Sequence, residues 1–172
     1  MPLLAALERL LSGPEKPADR DHPLAVAVRA QMPAAAEETQ RVVTAVAGLL
    51  ACVAYADRDF SEAEQTAIRD ELARIHGMDD DGAERVVAFL TRDIQPIVRG
   101  GDHGWVRDLR ELTDRPQRLE ILEVLLDLAA ADGVIDHAEV NYLRRLATQL
   151  GLEQQEYNAA QARHRDKLGM VE

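Results

Sequence analysis

The sequence predicts an all-α fold: a compact bundle of about seven to eight helices built on two pseudo-symmetric helix–turn–helix hairpins. Three observations carry this. No stretch alternates polar and apolar residues as a half-buried strand would. Of the 172 residues 47% are hydrophobic but only 3% aromatic, so the core is aliphatic and rich in Ala and Leu, both strong helix formers. One stretch also occurs twice. The first copy runs Ala54-Tyr55-Ala56-Asp57-Arg58-Asp59-Phe60-Ser61-Glu62-Ala63-Glu64, the second Ala129-Ala130-Ala131-Asp132-Gly133-Val134-Ile135-Asp136-His137-Ala138-Glu139. In both, an apolar helix stops at an Asp, a large apolar residue follows, then a capping type, then a Glu three residues on.

Taken in order, Met1–Ser12 places Leu3, Leu4, Leu7, Leu10 and Leu11 on one helical face. It reads as a short helix packed on the main domain, or alternatively as a docking peptide. Pro14, Pro17 and Pro23 make residues 13–23 irregular, so residues 1–33 are expected to form an arm and residues 34–168 the helical domain. Residues 24–31 form a short helix. Residues 34–56 form a long one that turns apolar on nearly all sides from Val42, the mark of a buried central helix. Ser61 caps a helix over 62–76, stopped by Gly77. Asp79, Asp80 and Asp81 suit the positive start of the next helix, which Pro96 kinks or ends. A loop, Gly100-Gly101-Asp102-His103-Gly104, leads to a short helix over 105–112 with Trp105 as a core plug. Asp114 and Gln117 form a capping box for a second central helix reaching Ala131. Asp136 caps a helix ending before Gly151, and a last helix covers 154–167.

The repeated turns carry the chemistry. A standard EF-hand is excluded, because the positions four and two before each Asp hold Leu128 and Ala130, or Val53 and Tyr55, where oxygen ligands are required. Capping explains most of the rest. Ser61 with Glu64, and Asp136 with Glu139, are capping boxes, Phe60 and Ile135 are staples, and Gly133 allows a left-handed residue. It leaves Asp57 and Asp132, which lie at the unfavourable negative ends of two helices. A third reading uses them. If the two turns meet, Asp57, Asp59, Glu64, Asp132, Asp136 and Glu139 can bind a hard divalent cation such as calcium or magnesium, with Asp127 as a further ligand. The last two readings are compatible, and the residues alone leave both open.

Charge and composition narrow the class. A net charge of -11 excludes the basic footprint of non-specific nucleic-acid binding. Met1–Leu11 lacks the pattern of a secretion signal, and no apolar run reaches membrane-spanning length, so a cytoplasmic protein is expected. The single cysteine, Cys52, lies in an apolar helix and reads as a structural thiol. The histidines His22, His76, His103, His137 and His164 show no paired metal-ligand spacing, and no catalytic set is apparent. His103, in its glycine loop, is the best candidate for proton transfer.

The run Leu128-Ala129-Ala130-Ala131-Asp132-Gly133-Val134-Ile135-Asp136-His137-Ala138-Glu139, continued by Leu143, Leu146 and Gly151-Leu152, resembles the TerB-like tellurite-resistance family. The first copy resembles that family's first turn but carries Arg58 where the glycine would be. The resemblance covers roughly residues 36–166. It implies a compact all-α domain of two similar halves with an acidic, metal-binding centre, a role in tellurite or other stress resistance, and a protein partner that can be a membrane protein. Similar domains accompany J-domain co-chaperones, but His22-Pro23 is followed here by Leu24, not Asp. The expected function is a non-enzymatic, metal-binding TerB-like domain coupled to a partner. The alternative is a purely structural interaction module without metal.

Overall fold

The computed structural model describes residues 20–165. The expected helix over Met1–Ser12 and the residues beyond 165 lie outside that range. Eight α-helices are described: α1 Pro23–Gln31, α2 Glu37–Ala54, α3 Glu62–Ala73, α4 Asp80–Arg99, α5 His103–Leu112, α6 Arg115–Ala129, α7 His137–Gln149 and α8 Gln154–Ala162. No strand occurs among the described residues, and no helix there is long and apolar enough to cross a membrane.

Helix α2 is the hub. It buries a continuous run from Ala47 to Ala54 and packs against α1, α3, α4, α5, α6 and α7. A helix surrounded in this way must be apolar on every side, which is why its sequence loses amphipathic character after Val42. The α2–α3 and α6–α7 hairpins pack reciprocally. The first helices of the two, α2 and α6, lie against each other, α3 touches α6, and α7 touches α2. This cross-contact is what an approximate two-fold demands. Equivalent positions share their burial: Ile68 and Leu143 are both fully buried. Helix α1 shares the same core, burying Leu24 and Val28, with Met32 at its C-cap, between α2 and α4. Residues 23–32 of the expected arm therefore contribute to the domain's packing.

Local chemistry sets the boundaries. Capping boxes start α3, α6 and α7 at Ser61, Asp114 and Asp136, and a fourth, at Glu153, starts α8. Asp79 starts α4 by accepting the Gly82 amide at 2.7 Å. Of the two outcomes expected at Pro96, a kink or an end, the helix takes the kink. Helix α4 runs through Pro96 to Arg99, and the distortion sits at Asp93 (φ -117°, ψ 23°). A proline ring clashes with the carbonyl four residues back and offers no amide, so the strain falls in the preceding turn. The loop before α5 is also shorter than expected: His103 and Gly104 belong to the helix.

Trp105 plugs the core above α2, and Gly48 makes room for it. A Cβ at Gly48 would lie 2.5 Å from the Trp105 ring. Gly48→Ala is expected to destabilise the protein by about 1–3 kcal/mol through overpacking. Urea unfolding monitored by far-UV circular dichroism measures this, and an unchanged midpoint would contradict the packing.

Candidate functional site

The two repeated turns have one conformation. Gly133 is left-handed (φ 97°), and Arg58, its counterpart, is left-handed too (φ 70°), the only such non-glycine among the described residues. The substitution of arginine for glycine therefore leaves the turn intact, despite the steric penalty of that region for a side chain. The reason lies one residue earlier. Asp57 Oδ1 accepts the Asp59 amide at 2.8 Å, and Asp132 Oδ1 accepts the Val134 amide at 3.0 Å. Each Asp bridges its own turn two residues on, a local bond that favours this geometry. The recurring Asp thus has a structural role that the dipole argument alone did not supply.

The glutamates complete the capping boxes. Glu64 Oε2 accepts the Ser61 amide and hydroxyl, both at 2.8 Å, while the Ser61 hydroxyl oxygen accepts the Glu64 amide at 3.2 Å. Glu139 Oε2 accepts the Asp136 amide at 2.8 Å, and Asp136 Oδ1 accepts the Glu139 amide at 2.8 Å. Glu64 is 6% exposed and Glu139 5% exposed.

Burial alone does not describe their surroundings. Burial raises the Glu64 pKa, and the charges of Asp57 and Asp132 add to it. Burial likewise pushes the Glu139 pKa up to about 8, with repulsion from Asp136, Glu64 and Asp132 adding to it. The two-fold therefore places the glutamates in the field of both turns: Asp132 bears on both of them, Asp57 on Glu64, and Glu64 on Glu139. Neither glutamate forms an ion pair among the described residues. Glu156, at the same capping-box position of α8, behaves in the opposite way. Its carboxylate receives Arg115 at 3.0 Å, and that arginine holds its pKa below the usual carboxylate range.

The other expected ligands are placed differently. Asp136 adjoins Glu139 as its cap, with its charge turned into the same repulsion. Asp59 is exposed and accepts the Phe60 amide at 2.9 Å. Asp127 pairs with His164 at 3.0 Å on α8's side of the bundle, so it is committed elsewhere. Among the described residues no three His, Cys, Asp or Glu side chains stand close enough together to hold a metal ion. The donor chemistry nonetheless suits a hard cation: all four coupled groups are carboxylates, and Oε1 of each buried glutamate accepts no hydrogen bond among the described residues.

Sequence reasoning missed a second polar cluster. The Tyr142 hydroxyl donates to Asp102 Oδ2 at 3.0 Å, beside Cys52, whose thiol burial pushes up to about 12. Such a thiol stays protonated and unreactive at neutral pH. Arg41 and the buried Asp108 form an ion pair at 2.7 Å. Both contacts join residues far apart in the chain, and no local motif announces them.

A pH dependence follows from Glu139. Its folded pKa lies above its unfolded value, so the folded state binds the proton more tightly. The stabilisation is complete below pH about 4.5 and is lost as pH rises through about 8. Glu139→Gln keeps an accepting oxygen for the cap and removes the charge. It is expected to raise Tm at pH 8 by on the order of 2–4 °C, the shift that about 1 kcal/mol produces in a chain of this size. At pH 4 the gain should vanish, and an equal gain at both pH values would refute the assignment.

Comparison with known proteins agrees with the fold. The family model described as Tellurite resistance protein TerB matches residues 43–162. Searches of curated proteins and of solved structures return no match. TerB is not a known enzymatic family. Both repeated turns and all four coupled carboxylates fall inside the matched span, which covers most of the chain, and the chain belongs to the TerB family.

Proposed function

We propose that this is a non-catalytic TerB-family module whose paired acidic turns take up a hard divalent cation, calcium or magnesium, and couple that state to a protein partner in a stress or tellurite response. One observation supports the reading above others. Of the four capping boxes among the described residues, only the two related by the pseudo-two-fold bury their glutamates, and these face like charges without a basic counter-ion among those residues. Like charges held together in a partly desolvated place are destabilising unless protonated or matched by a cation. Glu64 and Glu139 are the residues that would hold the ion between them, with Asp57 and Asp132 contributing negative charge nearby rather than ligands. A bound cation would supply the missing positive charge. The partner, a membrane protein included, would read the difference between the neutralised and repelling states at the turns, where Val134 stands exposed.

A structural module without metal is the second reading, and it too has a specific observation in its favour. All six acidic side chains of the turns, those of Asp57, Asp59, Glu64, Asp132, Asp136 and Glu139, already accept a backbone amide within their own turn. In that case protonation, not metal, relieves the repulsion.

Melting curves separate the two. Chelator-stripped protein is titrated with calcium, magnesium, manganese or zinc at millimolar concentration, as wild type and as Glu64→Gln/Glu139→Gln. Metal at 100 times its Kd is expected to add about 2.7 kcal/mol, or roughly 5–10 °C in Tm. The gain should be larger at pH 8 than at pH 6, because ligands must lose their protons to bind. The double variant should lose it. No shift with any of the four metals leaves the structural module as the reading.

A further inference from the structure

At the opposite end of α2 from the acidic turns, roughly 20 Å along the helix from Asp57, α1, α2 and the α4–α5 junction enclose a cleft of about 350 Å³. That volume lies at the lower end of the range for small-molecule sites. Trp105 and Ala25 line it, and the hydroxyl of Thr44, also on its wall, is already donated to the Gln40 carbonyl at 2.7 Å. Apolar surface therefore dominates the interior.

The mouth is charged, with Glu37 and Asp108 beside three arginines. Arg20, Arg29 and Arg41 converge on the cleft. Two of them are neutralised: Arg20 pairs with Glu37, and Arg41 pairs with Asp108 and Glu111. Arg29 donates only to the Arg20 carbonyl, at 2.8 Å, and has no carboxylate partner among the described residues. The first turn of α5, with Gly104 and Trp105, forms part of the rim. No side chain caps α5, because Asp102, at its N-cap, accepts the Tyr142 hydroxyl instead. The positive end of that helix adds to the attraction for an anion.

We propose that this cleft binds a small monocarboxylate with an apolar body. The volume and walls suit the body, and the single unmatched guanidinium suits one negative charge, which it can engage by two parallel hydrogen bonds. A phosphate dianion would need a second free cation, and the other two arginines are already matched by carboxylates. Gly48 has a part in the site, since it lets Trp105 settle against α2 and keeps the ring from filling the space.

The site carries its own reporter, because Trp105 is the only tryptophan in the chain. Full-length protein is titrated with hexanoate and, separately, with its neutral counterpart 1-hexanol, following Trp105 emission and confirming by calorimetry. Hexanoate should bind saturably at low-millimolar concentration, and hexanol about tenfold more weakly, the difference one charge-assisted hydrogen bond makes. Arg29→Gln should weaken hexanoate by a similar factor and leave hexanol unchanged. Ala25→Phe, which fills the interior, should abolish both while the circular dichroism spectrum stays native. Absence of saturable hexanoate binding, equal affinity for hexanol, indifference to Arg29→Gln, or binding that survives Ala25→Phe would each overturn the assignment.

Discussion

The approach of two buried glutamates across the α2–α6 crossing is the constraint on which the rest of this architecture turns. Each glutamate is held by its own capping box, and each box starts the second helix of its hairpin. Neither can leave without unsealing a helix N-terminus, where a lost cap typically weakens stability by about 1 kcal/mol. Yet the packing of α2 on α6 brings the two together and adds Asp57 and Asp132. Local structure thus demands the carboxylates, and tertiary structure makes them repel. The folded state answers by holding a proton on Glu139 well above the usual carboxylate range. That conflict between levels is absent from the box that starts α8, where Arg115 stands ready. Natural folds keep such conflicts at functional sites more often than elsewhere.

Much of this was legible in the residues. The constant spacing between copies and the apolar run after Val42 together specify two hairpins around a buried helix. The capping pairs Ser61/Glu64 and Asp136/Glu139 are visible as sequence patterns because the bond is local. The left-handed Arg58 was not legible. Glycine advertises that conformation and arginine does not, so only the Asx bond from Asp57 accounts for it. The roles of Asp57 and Asp132 were half legible: their position signalled a cost, but the compensating amide lies two residues on and needs the turn's shape to be seen. Asp127 lies five residues before Asp132 in the sequence, and only the packing of the chain end beyond α8 shows that His164 meets it. The repulsion between Glu64 and Glu139 depends on how the halves dock, which no local pattern contains.

The α2 helix also joins the two regions of interest. Its C-terminus ends in the first acidic turn, and its first half forms a wall of the basic cleft through Gln40, Arg41 and Thr44. Helix α7 reaches both as well. It begins in the second acidic turn, and Tyr142 on it fixes Asp102 at the head of α5. The two ends of the central helix differ in character: at one lie the buried Glu64 and Glu139, with Arg58 exposed in the first turn, and at the other lies Arg29, which has no carboxylate partner among the described residues.

Burial and the charge of Glu64 together raise the Glu139 pKa. Carbon-13 NMR titration of the glutamate side-chain carboxyls in metal-free protein tests it most directly. Glu139 is expected to titrate with a pKa of about 8 in the wild type. In Glu64→Gln that pKa should fall toward the ordinary value, since removing one of two interacting carboxylates releases the other. Ordinary carboxylate titration of both residues in the wild type, or a Glu139 pKa indifferent to Glu64→Gln, would contradict it.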